Sequence, residues 1–181
     1  LEVAQQLFPV RQRQHVGISE HAVVAASATI GANTSGHPFA VIGEDVVLGE
    51  GCTVASGAVV SHGCVLGDNV RIDPNAVLYP DVRIGNDTAI QAGAVLGAEG
   101  FGYRTVNGRH ERLPHVGIVN IGNDVHIGSC TTIDKAKMGE TVIGSGTRID
   151  NQVMIAHNCQ IGEHNLLCSQ TGIAGSSSTG K

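Results

Sequence analysis

Large rings are nearly missing from this chain. Of 181 residues only 3% are aromatic, and none is Trp. An interior must therefore be filled by Ile, Val, Leu and small residues, which suits a thin, repetitive core better than a broad globular one. Charge is sparse too, at 15% against about 25% in average usage. The net charge is −5 and Lys and Arg form no run, so the electrostatic footprint of a nucleic-acid binder is missing. No apolar stretch approaches the ~20 residues of a bilayer-spanning helix. Pro is limited to 5 residues while Gly reaches 25, which excludes a Pro-rich linker composition. The cysteines, Cys52, Cys64, Cys130, Cys159 and Cys168, are odd in number and form no C-x-x-C. Neither a disulfide framework nor a zinc ribbon is indicated, and the cysteines read as small buried thiols in a reducing compartment. The start, Leu1-Glu2-Val3, has neither a basic n-region nor an initiator Met and reads as a cut inside a longer protein.

What the chain does have is a period of six. Counting in sixes from Val24 to Leu96 gives thirteen positions, all aliphatic except Gly36. The register resumes at Ile121, Ile127 and Ile133, and again from Ile143 through Ile149, Ile155, Ile161, Leu167 and Ile173. Two residues before each aliphatic of the first run lies a small or β-branched residue, such as Ala40, Val46, Cys52, Ala58 and Cys64. Gly often follows the aliphatic, as at Gly31, Gly43, Gly49, Gly67, Gly85 and Gly97. A helix would place apolar residues three and four apart, and a long amphipathic strand every second one. Period six fits short strands separated by turns, three to a coil. The expected fold is all-β, a hexapeptide-repeat parallel β-helix in the form of a triangular prism with about seven coils. The glycine after each aliphatic is expected to supply a turn conformation that other residues resist.

Two segments break the register. Residues 97–120 hold Phe101 and Tyr103 and should leave the coil as a loop excursion, while 134–142 form a smaller bulge. Such excursions are common places for binding chemistry, and equally for covering a neighbouring subunit. Residues 1–20 lack the period; Ala4, Leu7 and Phe8 suggest a short helix ending near Pro9, followed by a linker. The solenoid domain then occupies 21–181.

Several side-chain patterns compete for function. Gly175 to Lys181 fits G-x-x-x-x-G-K, but a phosphate-binding loop needs a following Ser/Thr and helix, and the six-residue period runs up to the end of the chain instead. Nine histidines raise the question of a metal. His126, His157 and His164 fall at the sixth, third and fourth places of their hexads and so project in different directions; no metal is expected. His157 stands out by context, in Asp150-Asn151-Gln152-Val153-Met154-Ile155-Ala156-His157-Asn158, where polar side chains crowd two consecutive hexads. From spacing alone, a solvent-exposed turn histidine explains it as well as a functional one.

Four stretches taken together carry a resemblance: GAEGFGY at 97–103, TTIDKAKMGETVIG at 131–144, IDNQVMIAHNCQIG at 149–162 and GIAGS at 172–176. In order and spacing they resemble the UDP-3-O-(3-hydroxyacyl)glucosamine N-acyltransferases of lipid A biosynthesis. The resemblance runs from about residue 21 to the end. It implies a left-handed β-helix, a homotrimer with active sites between subunits, and a bacterial cytoplasmic enzyme. The implied reaction moves a 3-hydroxyacyl chain from acyl carrier protein to the 2-amino group of a UDP-linked, 3-O-acylated glucosamine. No cofactor is implied beyond the donor's phosphopantetheine thioester. The family's catalytic histidine sits in its I-A-H-N motif, which makes His157 the candidate base. Its oxyanion-stabilising backbone N–H falls on Gly175. Asp150, Asn151 and Gln152 are candidates for holding the sugar. These residue types suit the chemistry, since an imidazole can take the amine's proton and a fixed backbone N–H can meet the developing oxyanion.

The resemblance also implies parts not seen here. These are most of an N-terminal uridine-binding domain, of which 1–20 would be the remnant, and further coils with a helical tail and a second histidine. Activity is therefore expected to need the longer parent. Competing readings are another hexapeptide acyltransferase using acetyl-CoA, and a non-catalytic scaffold or metal-dependent hydratase on the same solenoid.

Overall fold

A computed structural model of the chain describes residues 17–181. The short helix and linker expected near Ala4–Pro9 lie outside the described residues. Every described strand but two belongs to one of three parallel sheets, of eight, seven and seven strands. Most strands are only two residues long. Away from two interruptions, each strand of these sheets pairs with the strand eighteen residues on, as in Val41↔Val59 and Ile42↔Val60; across the interruptions the spacing grows, as in Val95↔Thr132 and Thr132↔Met154. The chain thus visits three walls in turn and returns one coil higher, and the described residues hold no helix. In the first wall it passes from Val23–Val24 to Gly172–Ile173, in the second from Thr29–Ile30 to Gln160–Ile161, and in the third from Ser35–Gly36 to Leu166–Leu167.

Alternation of side chains along a strand explains the period. The second residue of each two-residue strand points in and the first points out. Ile42, Leu48, Val54, Val60, Leu66, Ile72, Leu78 and Ile90 are all at most 2% exposed and form one continuous core. The small residues two before them, Ala40, Val46, Cys52, Ala58 and Cys64, are buried beside them. One coil cannot enclose its own interior, so the core exists only because coils stack.

Turn chemistry departs from the expectation in one respect. Backbone in the left-handed region recurs at the third residue after the aliphatic, where Asn33, Asp45, Asn69, Asn75, Asp81 and Asp87 take φ between 56° and 63°. Asn and Asp tolerate that region better than other side-chain-bearing residues. The glycine directly after the aliphatic serves close approach instead, except at Gly97, which follows Leu96 and does take the left-handed region. A Cβ at Gly43 would lie 2.8 Å from the backbone nitrogen of His62, one coil up. At Gly31 it would collide with the carbonyl of Gly49.

The cysteines divide by the same geometry, so the expectation that all five are buried needs correction. Cys52, Cys64 and Cys159 occupy the inward small position and are buried. Cys130 takes the left-handed turn position, with φ 57°, and Cys168 follows the aliphatic Leu167; both are exposed. Burial pushes the Cys64 thiol up to about 11, and its S–H donates to Tyr79 O at 3.1 Å.

Both interruptions leave the prism at the same corner, between the first and second walls. The longer one follows the strand Val95–Glu99, forms an antiparallel hairpin of Tyr103–Val106 with Arg109–Arg112, and re-enters at Ile118–Ile121. The excursion is thus shorter than 97–120, because the second wall resumes at Ile118. It begins at a bulge where Gly97 has φ 87° and the register shifts between Leu96 and Ala98. The shorter interruption joins Thr132–Lys135 to Glu140–Ile143.

Candidate active site

His157 sits on that same corner, in the turn after Met154–Ile155. Its Nδ1 lies 3.1 Å from Asn158 Oδ1. The orientation of the Asn158 amide is set by the shorter interruption. Its Nδ2 donates to Met138 O at 2.9 Å, and its Oδ1 accepts from Lys137 N at 2.9 Å. Its backbone N–H donates to Thr141 Oγ1 at 2.8 Å. An oxygen so fixed can only accept from His157, so the imidazole proton belongs on Nδ1 and Nε2 keeps a free lone pair. The 134–142 segment thus acts as the support of the histidine.

Gly175 lies at the same corner one coil further along. Ser176 N donates to His157 O at 2.9 Å, which locks the two turns together. A Cβ placed on Gly175 would stand 2.8 Å from both Cε1 and Nε2 of His157. The free nitrogen therefore faces backbone with no side chain between them. Among the described residues the Gly175 N–H has no backbone acceptor.

The longer interruption closes over the other side of the ring. Gly100 is buried, and a Cβ there would lie 2.8 Å from His157 Cβ and 2.9 Å from His115 Nε2. His115 is buried and meets His157 edge-on, ring centroids 5.1 Å apart. Burial is the main cause that holds the His115 imidazole below its ordinary range, and charge on His157 adds to it, while a hydrogen bond with the Leu113 carbonyl opposes. Asp134, at the end of its strand, feels His157 as well. Burial pushes its carboxyl up and the imidazole pulls it back. Beyond Gly100, Phe101 and Tyr103 stack at a tilt with centroids 5.1 Å apart. With Thr105 and His110 they line a cavity of about 310 Å³ on the hairpin. Two ion pairs brace this hairpin, Arg104 with Glu111 at 2.8 Å and Arg112 with Glu99 at 2.6 Å.

The structure brings together His157 and Gly175, but places Asp150, Asn151 and Gln152 on another corner, between the third and first walls. There Asp150 Oδ1 accepts from Asn151 N at 2.8 Å, and Asn151 Oδ1 accepts from Ser129 N at 2.7 Å. Gln152 holds the left-handed turn position with φ 57°. All three are exposed. His126 projects from the third wall and His164 from the corner between the second and third, so neither approaches His157 within one chain. Among the described residues no three His, Cys, Asp or Glu side chains converge as metal ligands would. The Gly175–Lys181 segment continues the coil, with Ser178 bridging Gln160 in parallel. Spacing alone marks neither His115 nor Asn158. His115 lies in a stretch with no period to read, and Asn158 looks like any other turn asparagine.

Residues 27–62, 63–98 and 140–175 match the family described as bacterial transferase hexapeptide (six repeats). A UDP-3-O-acylglucosamine N-acyltransferase of Helicobacter pylori is 51% identical over 145 residues, covering 80% of this chain and 43% of its own length. One from Thermosynechococcus vestitus is 58% identical over 87 residues, covering 48% of this chain and 26% of its own. The chain therefore spans less than half the length of these relatives. Among solved structures, a UDP-N-acetylglucosamine acyltransferase from Bacteroides fragilis superposes with a TM-score of 0.61 at 28% identity, covering 87% of this chain and 53% of that one.

Proposed function

Since the chain belongs to the bacterial transferase hexapeptide family, we propose that it carries the acyl-transfer centre of a UDP-3-O-(3-hydroxyacyl)glucosamine N-acyltransferase acting in lipid A biosynthesis. The observation that carries this reading is the imidazole of His157, whose Nδ1 is tied to a fixed Asn158 and whose Nε2 faces the bare backbone of Gly175. The acceptor is the 2-amino group of a UDP-linked, 3-O-acylated glucosamine. The donor is a 3-hydroxyacyl thioester on the phosphopantetheine of acyl carrier protein, and no further cofactor takes part.

The neutral amine attacks the thioester carbonyl carbon, forming the C–N bond. His157 Nε2 takes the proton the amine loses. Negative charge develops on the former carbonyl oxygen, and the Gly175 N–H meets it without reorganisation. Collapse breaks the C–S bond, and the leaving sulfur receives the proton held by His157. Asn158 keeps Nδ1–H in place throughout, so the same nitrogen serves both proton transfers.

The reading places the enzyme in the bacterial cytoplasm as a homotrimer. No described helix is long and apolar enough to cross a membrane. The outward face of the first wall supports the trimer. Val23, Val41, Val59, Val77 and Val95 stand in register along it, an apolar stripe on a sheet face. Asp150, Asn151 and Gln152 would then reach the sugar from a neighbouring copy, since their own His157 lies on a different corner. Sedimentation velocity checks the assembly. Wild-type protein should run as a trimer and Val77→Glu as a monomer; a wild-type monomer removes both the trimer and the shared site.

The decisive assay offers the longer parent protein, with the 181-residue chain beside it, two donors, 3-hydroxyacyl carrier protein and acetyl-CoA, with UDP-3-O-acylglucosamine as acceptor, and the outcome is read from the parent. Transfer from the carrier protein alone is expected. Transfer from acetyl-CoA alone would make it a different hexapeptide acyltransferase. Transfer from neither would leave the solenoid as a scaffold.

A further inference from the structure

His115 has no role in the reaction above, yet its setting calls for one. It is 2% exposed. Its Nδ1 lies 3.1 Å from Leu113 O, a carbonyl that can only accept, so Nδ1 carries the proton and Nε2 the lone pair. That Nε2 is buried without a hydrogen-bond partner among the described residues. An acceptor buried in this way is costly, and a leucine would fill the space without the cost. The ring stands at 63° to that of His157. Gly100 passes beside both, and a Cβ there would lie 2.9 Å from His115 Nε2 and 2.9 Å from His157 Cδ2. The other titratable groups facing the pair are Glu99, at the end of its strand, Lys137 in the short interruption, and Asp134 on the His157 side.

We propose that His115 is a positioning residue for His157. Its anchored ring holds the His157 imidazole in plane with the Asn158 amide oxygen, and its bare Nε2 favours that imidazole while it carries the proton taken from the amine. The inference rests on the acyl-transfer reading. The bare nitrogen is the negative end of a neutral imidazole, and a proton arriving on His157 makes the facing ring edge positive. The attraction therefore grows toward the transition state and adds little to ground-state binding. His115 can play this part only while neutral, and its burial keeps it so.

Two variants separate the lone pair from mere packing. His115→Leu fills a similar volume without an acceptor, whereas His115→Gln restores one through its side-chain carbonyl. For His115→Leu in the full chain, kcat should fall about tenfold while KM changes less than about twofold, the split expected of a transition-state interaction. The 15N resonances of the His157 ring should report a single Nδ1–H tautomer in wild type and a mixture in His115→Leu. His115→Gln should return kcat to within about threefold of wild type. Equal losses in the two variants, or wild-type kcat and a single tautomer in His115→Leu, would overturn the proposal. The tautomer measurement needs no turnover. A wild-type protein that transfers no acyl group thus sinks the acyl-transfer reading, while the ring resonances still decide the role of His115.

Discussion

Replacing His157 by alanine should lower the rate of acyl transfer at least ~100-fold, the low end for a positioned general base. The loss should appear in kcat, because the amine can still bind but has nowhere to send its proton. The fold should survive. The bond from Ser176 to the residue-157 carbonyl is made by backbone and persists in alanine. Asn158 keeps its bonds to Met138, Lys137 and Thr141. Thermal unfolding of the variant beside steady-state kinetics separates the two effects. A variant of unchanged stability and unchanged turnover would remove His157 from the mechanism.

Gly175→Ala should do comparable damage by a different route. Its Cβ would enter the space 2.8 Å from His157 Nε2, where the amine and the thioester oxygen must meet. Losing one oxyanion donor alone typically costs about 100- to 1,000-fold in kcat, and the methyl also displaces the reacting atoms. Stability should hardly change, since Gly175 is exposed and its turn faces outward. Gly43→Ala supplies the contrast. There the Cβ meets backbone of the next coil at 2.8 Å, so the expected result is a lower unfolding temperature. If Gly175→Ala lost stability and kept its turnover per folded molecule, the glycine would be a stacking residue like Gly43.

The scaffold was readable from the sequence because its physics is periodic. One aliphatic per six residues gives the wall, and Ala40 or Cys52 two places earlier gives the room inside. The role of most of the following glycines is not periodic in that sense. Their need is set by the distance to the next coil, a quantity that lies eighteen residues away in sequence. The split among cysteines has the same origin, for Cys64 and Cys130 differ only in their place within the hexad. At the candidate site, the resemblance points to His157 and Gly175, and the structure sets the two at one corner. Asn158 and His115 carry no such mark, because each meets its partners outside its own hexad. Asn158 is oriented by Lys137 and Met138, and His115 reaches His157 only after the 97–117 excursion has folded back. Asp150, Asn151 and Gln152 adjoin His157 in sequence yet stand on another corner, since each hexad turns the chain onto a new wall.

A chain that repeats every six residues also faces a problem of counting. Slide one stretch by a single hexad and nearly every aliphatic would still find a core to enter. Hydrophobic burial alone would barely penalise such a slip. The two interruptions remove the degeneracy. They differ in length, leave at one corner, and touch each other through the paired Ala98–Asp134 and Glu99–Lys135 positions and through Gly117 N, which donates to Ala136 O. A slip by one hexad would carry one insertion to a different edge of the prism and break all of these contacts. The segments that build the candidate site thus also number the coils, so a misaligned solenoid would announce itself by lacking that site.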